Sequence, residues 1–125
     1  MRTLQDWIHD RGQKLGFERV SFGSAELMLR MELMTIDGLH NRLVVNISYI
    51  KVDEQFRRQG IFKTTLQTIA VMVHAEYMVI SHIMSGIVQE YCRSNHWIEL
   101  PVRSDLGEGP SYAIKPRQFL NLRPF

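Results

Sequence analysis

Residues 52–67 read VDEQFRRQGIFKTTLQ, and this stretch decides the fold. A β-rich run ends at Val52, the chain turns through Arg57-Arg58-Gln59-Gly60, and a helix begins at Ile61. The N–H groups of a first helical turn have no partner within the helix, and the helix dipole places about half a positive charge at that end. A strand, a glycine turn and a helix start in this order therefore predict a cradle for an anion, with phosphate as the natural guest.

Working backward, residues 42–52 (RLVVNISYIKV) are rich in β-branched side chains and longer than an average strand, which predicts a central place in a sheet. Asp37-Gly38 supplies a turn, so residues 25–36 and 42–52 should pair as a hairpin. Residues 3–15 place Leu4, Trp7, Ile8 and Leu15 on one side and predict a short amphipathic helix covering the sheet. Working forward, Ile61, Leu66, Ile69, Ala70 and Val73 recur at helical spacing. The run 77–83 reads as a buried strand, 85–93 as a helix with Ile87, Val88 and Tyr91 inward, 97–102 as a strand and 111–115 as a last strand after the turn at 105–110. Strand and helix alternation in the middle of the chain implies a βαβ crossover, hence an α/β domain whose mixed sheet has at least one parallel pair.

The 125 residues, 45% hydrophobic and 22% charged, fit one globular domain spanning 1–125. No run approaches the roughly 18 apolar residues of a membrane span, and the first dozen residues lack an apolar signal-peptide core. A single cysteine, Cys92, excludes an internal disulfide and suits a reducing compartment, so a cytoplasmic location is expected. The net charge of +2 is too small to argue for nucleic acid unless the charges cluster, and they cluster once, at Arg57, Arg58 and Lys63, so nucleic acid is not the expected partner. Arg117 and Arg123 would be the other contacts of a weaker nucleic-acid reading.

The arrangement resembles the GNAT superfamily of acetyl-CoA-dependent N-acetyltransferases. Their diagnostic segment is a strand, then Gln/Arg-x-x-Gly-x-Gly/Ala, then a helix; Arg57-Arg58-Gln59-Gly60-Ile61-Phe62 matches at the Arg and the Gly, and Lys63-Thr64-Thr65-Leu66 is similar to the usual helix start. A second signature, an aromatic-bearing helix running into a Gly-Phe strand start, is similar to residues 89–97, with Tyr91 at the aromatic and Trp97 in the Phe place. The resemblance implies an acyl-CoA N-acyltransferase fold and transfer of acetyl from acetyl-CoA to a primary amine, on a small molecule, protein or peptide. It also implies acetyl-CoA contacts at Val52, Arg57, Arg58, Gln59, Gly60, Ile61, Phe62 and Lys63, with Tyr91 as the catalytic acid.

The pattern is departed from in three ways. Phe62 replaces a small residue and would crowd the pantetheine arm unless it points into the core. Met84 and Ser85 stand where relatives carry Asn, and His96 stands where Gly is usual. These departures define the alternative, a catalytically inactive GNAT-like binding or assembly protein.

Acetyl-CoA asks for donors at its pyrophosphate and an extended strand edge for its pantetheine amides. Arg57, Arg58 and Lys63 would add charge-assisted contacts, whereas the bland reading makes RRQG a solvated turn. A nucleotide P-loop fails, because Gln55 and Gly60-Ile61 fall where the first Gly and the Gly-Lys pair belong. Asp53, Glu54, Ser48 and Tyr49 are the base candidates, none of them distinguished by the sequence. Cys92 and His96, spaced i, i+4, together with His74 and His82, raise a metal or nucleophile reading, against which Cys92 as a buried small hydrophobe is the default. Met28, Met31 and Met34 read as core fillers. The acceptor is expected to meet loops at 17–24 and 103–111, and oligomeric state has no sequence signal.

Overall fold

The computed structural model describes residues 1–10, 17–52, 60–81, 86–101 and 110–122. In chain order the elements are β1 (Arg2–Thr3), α1 (Leu4–His9), β2 (Glu18–Phe22), β3 (Ala25–Ile36), β4 (Leu39–Val52), α2 (Ile61–Met72), β5 (Tyr77–Ile80), α3 (Gly86–Ser94), β6 (Ile98–Leu100), β7 (Ser111–Ile114) and α4 (Pro116–Leu120). The strands form one seven-stranded sheet in the order β1-β2-β3-β4-β5-β7-β6. β4 and β5 are parallel, as are β1 and β2, and the other pairs are antiparallel. The chain is thus an α/β domain built on a mixed sheet flanked by helices.

The hairpin forms where the turn chemistry puts it: Asp37 and Gly38 both take positive φ, 51° and 80°, and Ile36 pairs with Leu39. β4 is central, and Val44, Val45, Asn46 and Ile47 are buried in succession, so both of its faces are covered here. On one face Leu27, Leu29, Met31, Val45, Ile47, Met78 and Ile80 pack with Leu66, Ile69 and Ala70 of α2. The opposite face carries a smaller core of Ile36, Val44, Tyr77, Val79, Leu100 and Ala113. Met31 is buried as expected of a core filler, while Met28 and Met34 are half-buried.

Four elements differ from the sequence expectation, one of them the short strand β1, which pairs with β2 where the helix was expected to begin. Residues 18–22, expected in an acceptor loop, form β2, which pairs with β3 from Glu18↔Leu29 to Phe22↔Ala25 around the turn at Gly23-Ser24. Of its side chains only Val20 is buried, so the strand shows little alternation of its own and is specified by its partner. The first helix stops at His9: Thr3 caps it, its Oγ1 accepting from the Asp6 N–H at 3.0 Å, and Arg2 closes the corner on Glu18 (3.0 Å) and Asp10 (2.9 Å). Residues 116–120, unassigned from the sequence, form α4, started by Pro116 in the first helical turn and anchored by buried Phe119. Among the described residues no helix is long and apolar enough to cross a membrane.

α3 ends in a Schellman motif: the Trp97 N–H donates to Cys92 O (3.0 Å) and the His96 N–H to Arg93 O (3.3 Å), with His96 at φ 59°. His96 therefore holds the left-handed backbone that the expected glycine would take without strain. His96→Gly is expected to stabilise the fold by about 1 kcal/mol, a rise in Tm of roughly 3–5 °C. A calorimetric scan showing no rise would disprove strain at this position.

Candidate functional site

Among the described residues β4 and β5 pair over a short stretch. Their pairing covers Val44↔Tyr77 to Ile47↔Ile80, and the last link is the Ser81 N–H donating to Ile47 O at 2.9 Å. β4 continues to Val52, held on its other side by β3 through Met28↔Tyr49 and Ala25↔Val52. Over 48–52 no described residue pairs with the β5-facing edge of β4; β4 thus overhangs the end of β5 at Ile80, and this overhang is the fork.

A bulge lies at the start of this overhang. Met28 pairs with Tyr49 and the next residue, Leu29, with Ile47, so Ser48 is an extra residue in β4 and makes a bulge. A bulge bends and twists the strand that carries it, here directly after the last β4–β5 pair. The Ser48 hydroxyl donates to Met28 O at 3.5 Å across the bulge.

A buried polar chain marks the same place. Ser81 Oγ donates to Asn46 Oδ1 (2.5 Å), Asn46 Nδ2 donates to Glu32 Oε2 (2.9 Å), and Arg30 Nε donates to that carboxylate. Asn46 and Ser81 are 6% and 7% exposed, so their hydrogen bonds are made largely away from water. This chain ties β3, β4 and the end of β5 together at the last described β4–β5 link.

α2 leads away from the same end of the sheet. Gly60 occupies its N-cap with φ 71° and ψ 17°, a left-handed conformation that explains the glycine, and offers no side-chain cap to the first-turn N–H groups. Thr64 and Thr65 direct their hydroxyls back into the helix, to Gly60 O (3.0 Å) and Ile61 O (2.6 Å). Ile61 and Phe62 are half-buried and pack against the main core, and Lys63 is half-buried. Phe62 is thus directed at the core, the condition under which its bulk leaves the strand edge clear. Val52 is the last residue of β4. Arg57, Arg58 and Gln59, with the base candidates Asp53 and Glu54, lie outside the described residues, as do Met84 and Ser85.

α3 follows β5 and starts at the same end of the sheet. Tyr91 is half-buried against the main core, its ring edge-on to Trp97 at 6.3 Å, and Trp97 is in turn edge-on to Phe119 at 6.0 Å. Burial, and next the neighbouring Cys92, push the Tyr91 phenol above its ordinary value. Burial alone pushes the Cys92 thiol up to about 12, so it is protonated and inert at neutral pH. Cys92 is buried while exposed His96 lies beyond the helix end, so the i, i+4 pair does not form a site. Among the described residues no three His, Cys, Asp or Glu side chains gather as a metal site.

Of the residues singled out in the sequence, the structure places Val52, Gly60, Ile61, Phe62, Lys63 and Tyr91 on elements that border the carboxyl ends of β4 and β5. Sequence reasoning missed Ser81, Glu32 and the bulge at Ser48. Asn46, polar within Val44-Val45-Asn46-Ile47, was the available signal for the buried chain. Neither a model of a known protein family nor a curated protein matches this chain.

Proposed function

We propose that the chain is a GNAT-type N-acetyltransferase that binds acetyl-CoA in the fork between β4 and β5 and transfers acetyl to a primary amine. The observation that carries this reading is the stretch of β4 beyond the Ser48 bulge, whose β5-facing edge meets no partner among the described residues, followed by a helix that opens at a left-handed glycine. An extended strand edge suits the two amides of a pantetheine arm, and a helix start whose N-cap is a glycine with no capping side chain suits a pyrophosphate. Arg57, Arg58 and Lys63 add cationic contacts, Arg as a fork and Lys as a point charge.

In the reaction a neutral amine nitrogen attacks the thioester carbonyl, and the C–S bond breaks as the tetrahedral intermediate collapses. The departing sulfur takes a proton from the Tyr91 phenol, and the proton released by the amine passes to solvent or to a base near the strand ends. The raised pKa keeps Tyr91 protonated, as an acid must be, throughout the neutral range. The packing of Tyr91 against Trp97 favours a second reading, a domain that binds acetyl-CoA without turnover.

Calorimetric titration with acetyl-CoA tests the shared part of both readings. Binding in the micromolar range is expected, weakened at least tenfold, about 1.4 kcal/mol, in Gly60→Glu. A Cβ on Gly60 meets nothing within 4 Å, so the variant should fold, with only the strain of a left-handed non-glycine. Absence of binding at millimolar ligand, or equal binding by the variant, would refute the proposal.

A further inference from the structure

At the end of the sheet remote from the fork lies an open groove of about 610 Å³. It is lined by Leu43 of β4, the end of α2 with Val71, the connection from Val73 to Glu76, and the start of α4 with Lys115 and Arg117. This volume lies within the roughly 300–1,000 Å³ of known ligand sites. Of its aliphatic side chains Val71 is 63% exposed, while Leu43 and Val73 are half-buried; the adjoining Met72 is 49% exposed.

The charges at the rim are unbalanced. Glu76 is held by Arg42 at 3.2 Å, which neutralises the acid of the groove. Lys115 and Arg117 meet no carboxylate among the described residues; the Lys115 ammonium lies 5.9 Å from the ring centre of Tyr77. An aliphatic wall beside two unneutralised cations complements a ligand that joins an aliphatic group to negative charge.

We propose that this groove docks a short segment of a partner protein in which aliphatic side chains flank carboxylates. The aliphatic groups cover Val71, Val73 and Leu43, while the carboxylates face Lys115 and Arg117. An open trough lets a peptide enter and leave along its length, whereas a small molecule would be left largely in water. Because the rim charges are exposed, the affinity should fall with added salt.

The test uses the full chain, labelled with 15N, and two probes: acetyl-Leu-Glu-Glu-Leu-amide and the same peptide with Lys in place of Glu. The acidic probe is expected to shift the amides of Leu43, Ala70, Val71, Val73 and Ala75 saturably, with Kd on the order of 1 mM or tighter. The basic probe should bind at least tenfold more weakly, as should the acidic probe to the double variant Lys115→Glu, Arg117→Glu and to Val71→Asp. These three positions are exposed, so a dispersed spectrum for each variant is expected and is checked first. No saturable shift at these amides, an equal response to both probes, or shifts centred elsewhere would overturn the proposal. Acetyl-CoA titration of the same variants should be unchanged, which separates this result from the fate of the fork.

Discussion

Tyr91→Phe is expected to lower kcat for acetyl transfer by on the order of 100-fold or more, the range found when a general acid is removed. The KM for acetyl-CoA should stay within about twofold, because the phenol acts on a sulfur that is leaving and not on the bound ground state. Phe keeps the edge contact with Trp97, and a melting scan of the variant separates a fall in rate from unfolding. The pH profile supplies a second readout. An acid works in its protonated form, and burial raises the Tyr91 pKa, so the alkaline fall in kcat should lie above the ordinary tyrosine value of about 10. Steady-state thiol release across a panel of amines measures both effects. An unchanged kcat in the variant would make Tyr91 a core residue only.

Asn46→Leu is expected to destabilise the fold by about 2–3 kcal/mol, although Leu matches Asn closely in size. The change leaves the Ser81 hydroxyl, 7% exposed, without its acceptor and removes one donor from the Glu32 carboxylate. Adding Ser81→Ala removes the orphaned hydroxyl, so the double variant should recover part of the loss instead of adding to it. Urea unfolding gives these energies, and hydrogen exchange at the Ser81 amide, the last β4–β5 link, should quicken in the single variant. A loss below about 0.5 kcal/mol would show that the buried chain contributes nothing net.

The parts of this fold visible in the sequence are those whose signals are local. Asp37-Gly38 fixes the β3–β4 hairpin, the spacing from Leu66 to Ala70 fixes the inner side of α2, and Gly60 marks the single left-handed residue that starts the helix. β2 was hidden because only Val20 among its residues is buried, so pairing with β3 specifies it. α4 was hidden by its length, five residues being too few for helical periodicity to show. Much of the candidate site depends on pairing across distance. Asn46 meets Glu32 fourteen positions away and Ser81 thirty-five away, and neither separation leaves a mark on a window of sequence. Nor does the reversal of backbone hand at His96, which ends α3 and separates it from Cys92.

The bulge at Ser48 makes the opening of the fork a matter of counting. Between the two pairs that bracket it, β4 spends one residue more than β3, and the side chain on the surplus residue contributes a single long contact to Met28 O. Replacement and deletion at this position therefore have different meanings: a new side chain leaves the surplus in place, whereas loss of one residue restores the ladder at this point and removes the bulge. The aperture is written in the length of the strand and not in its chemistry.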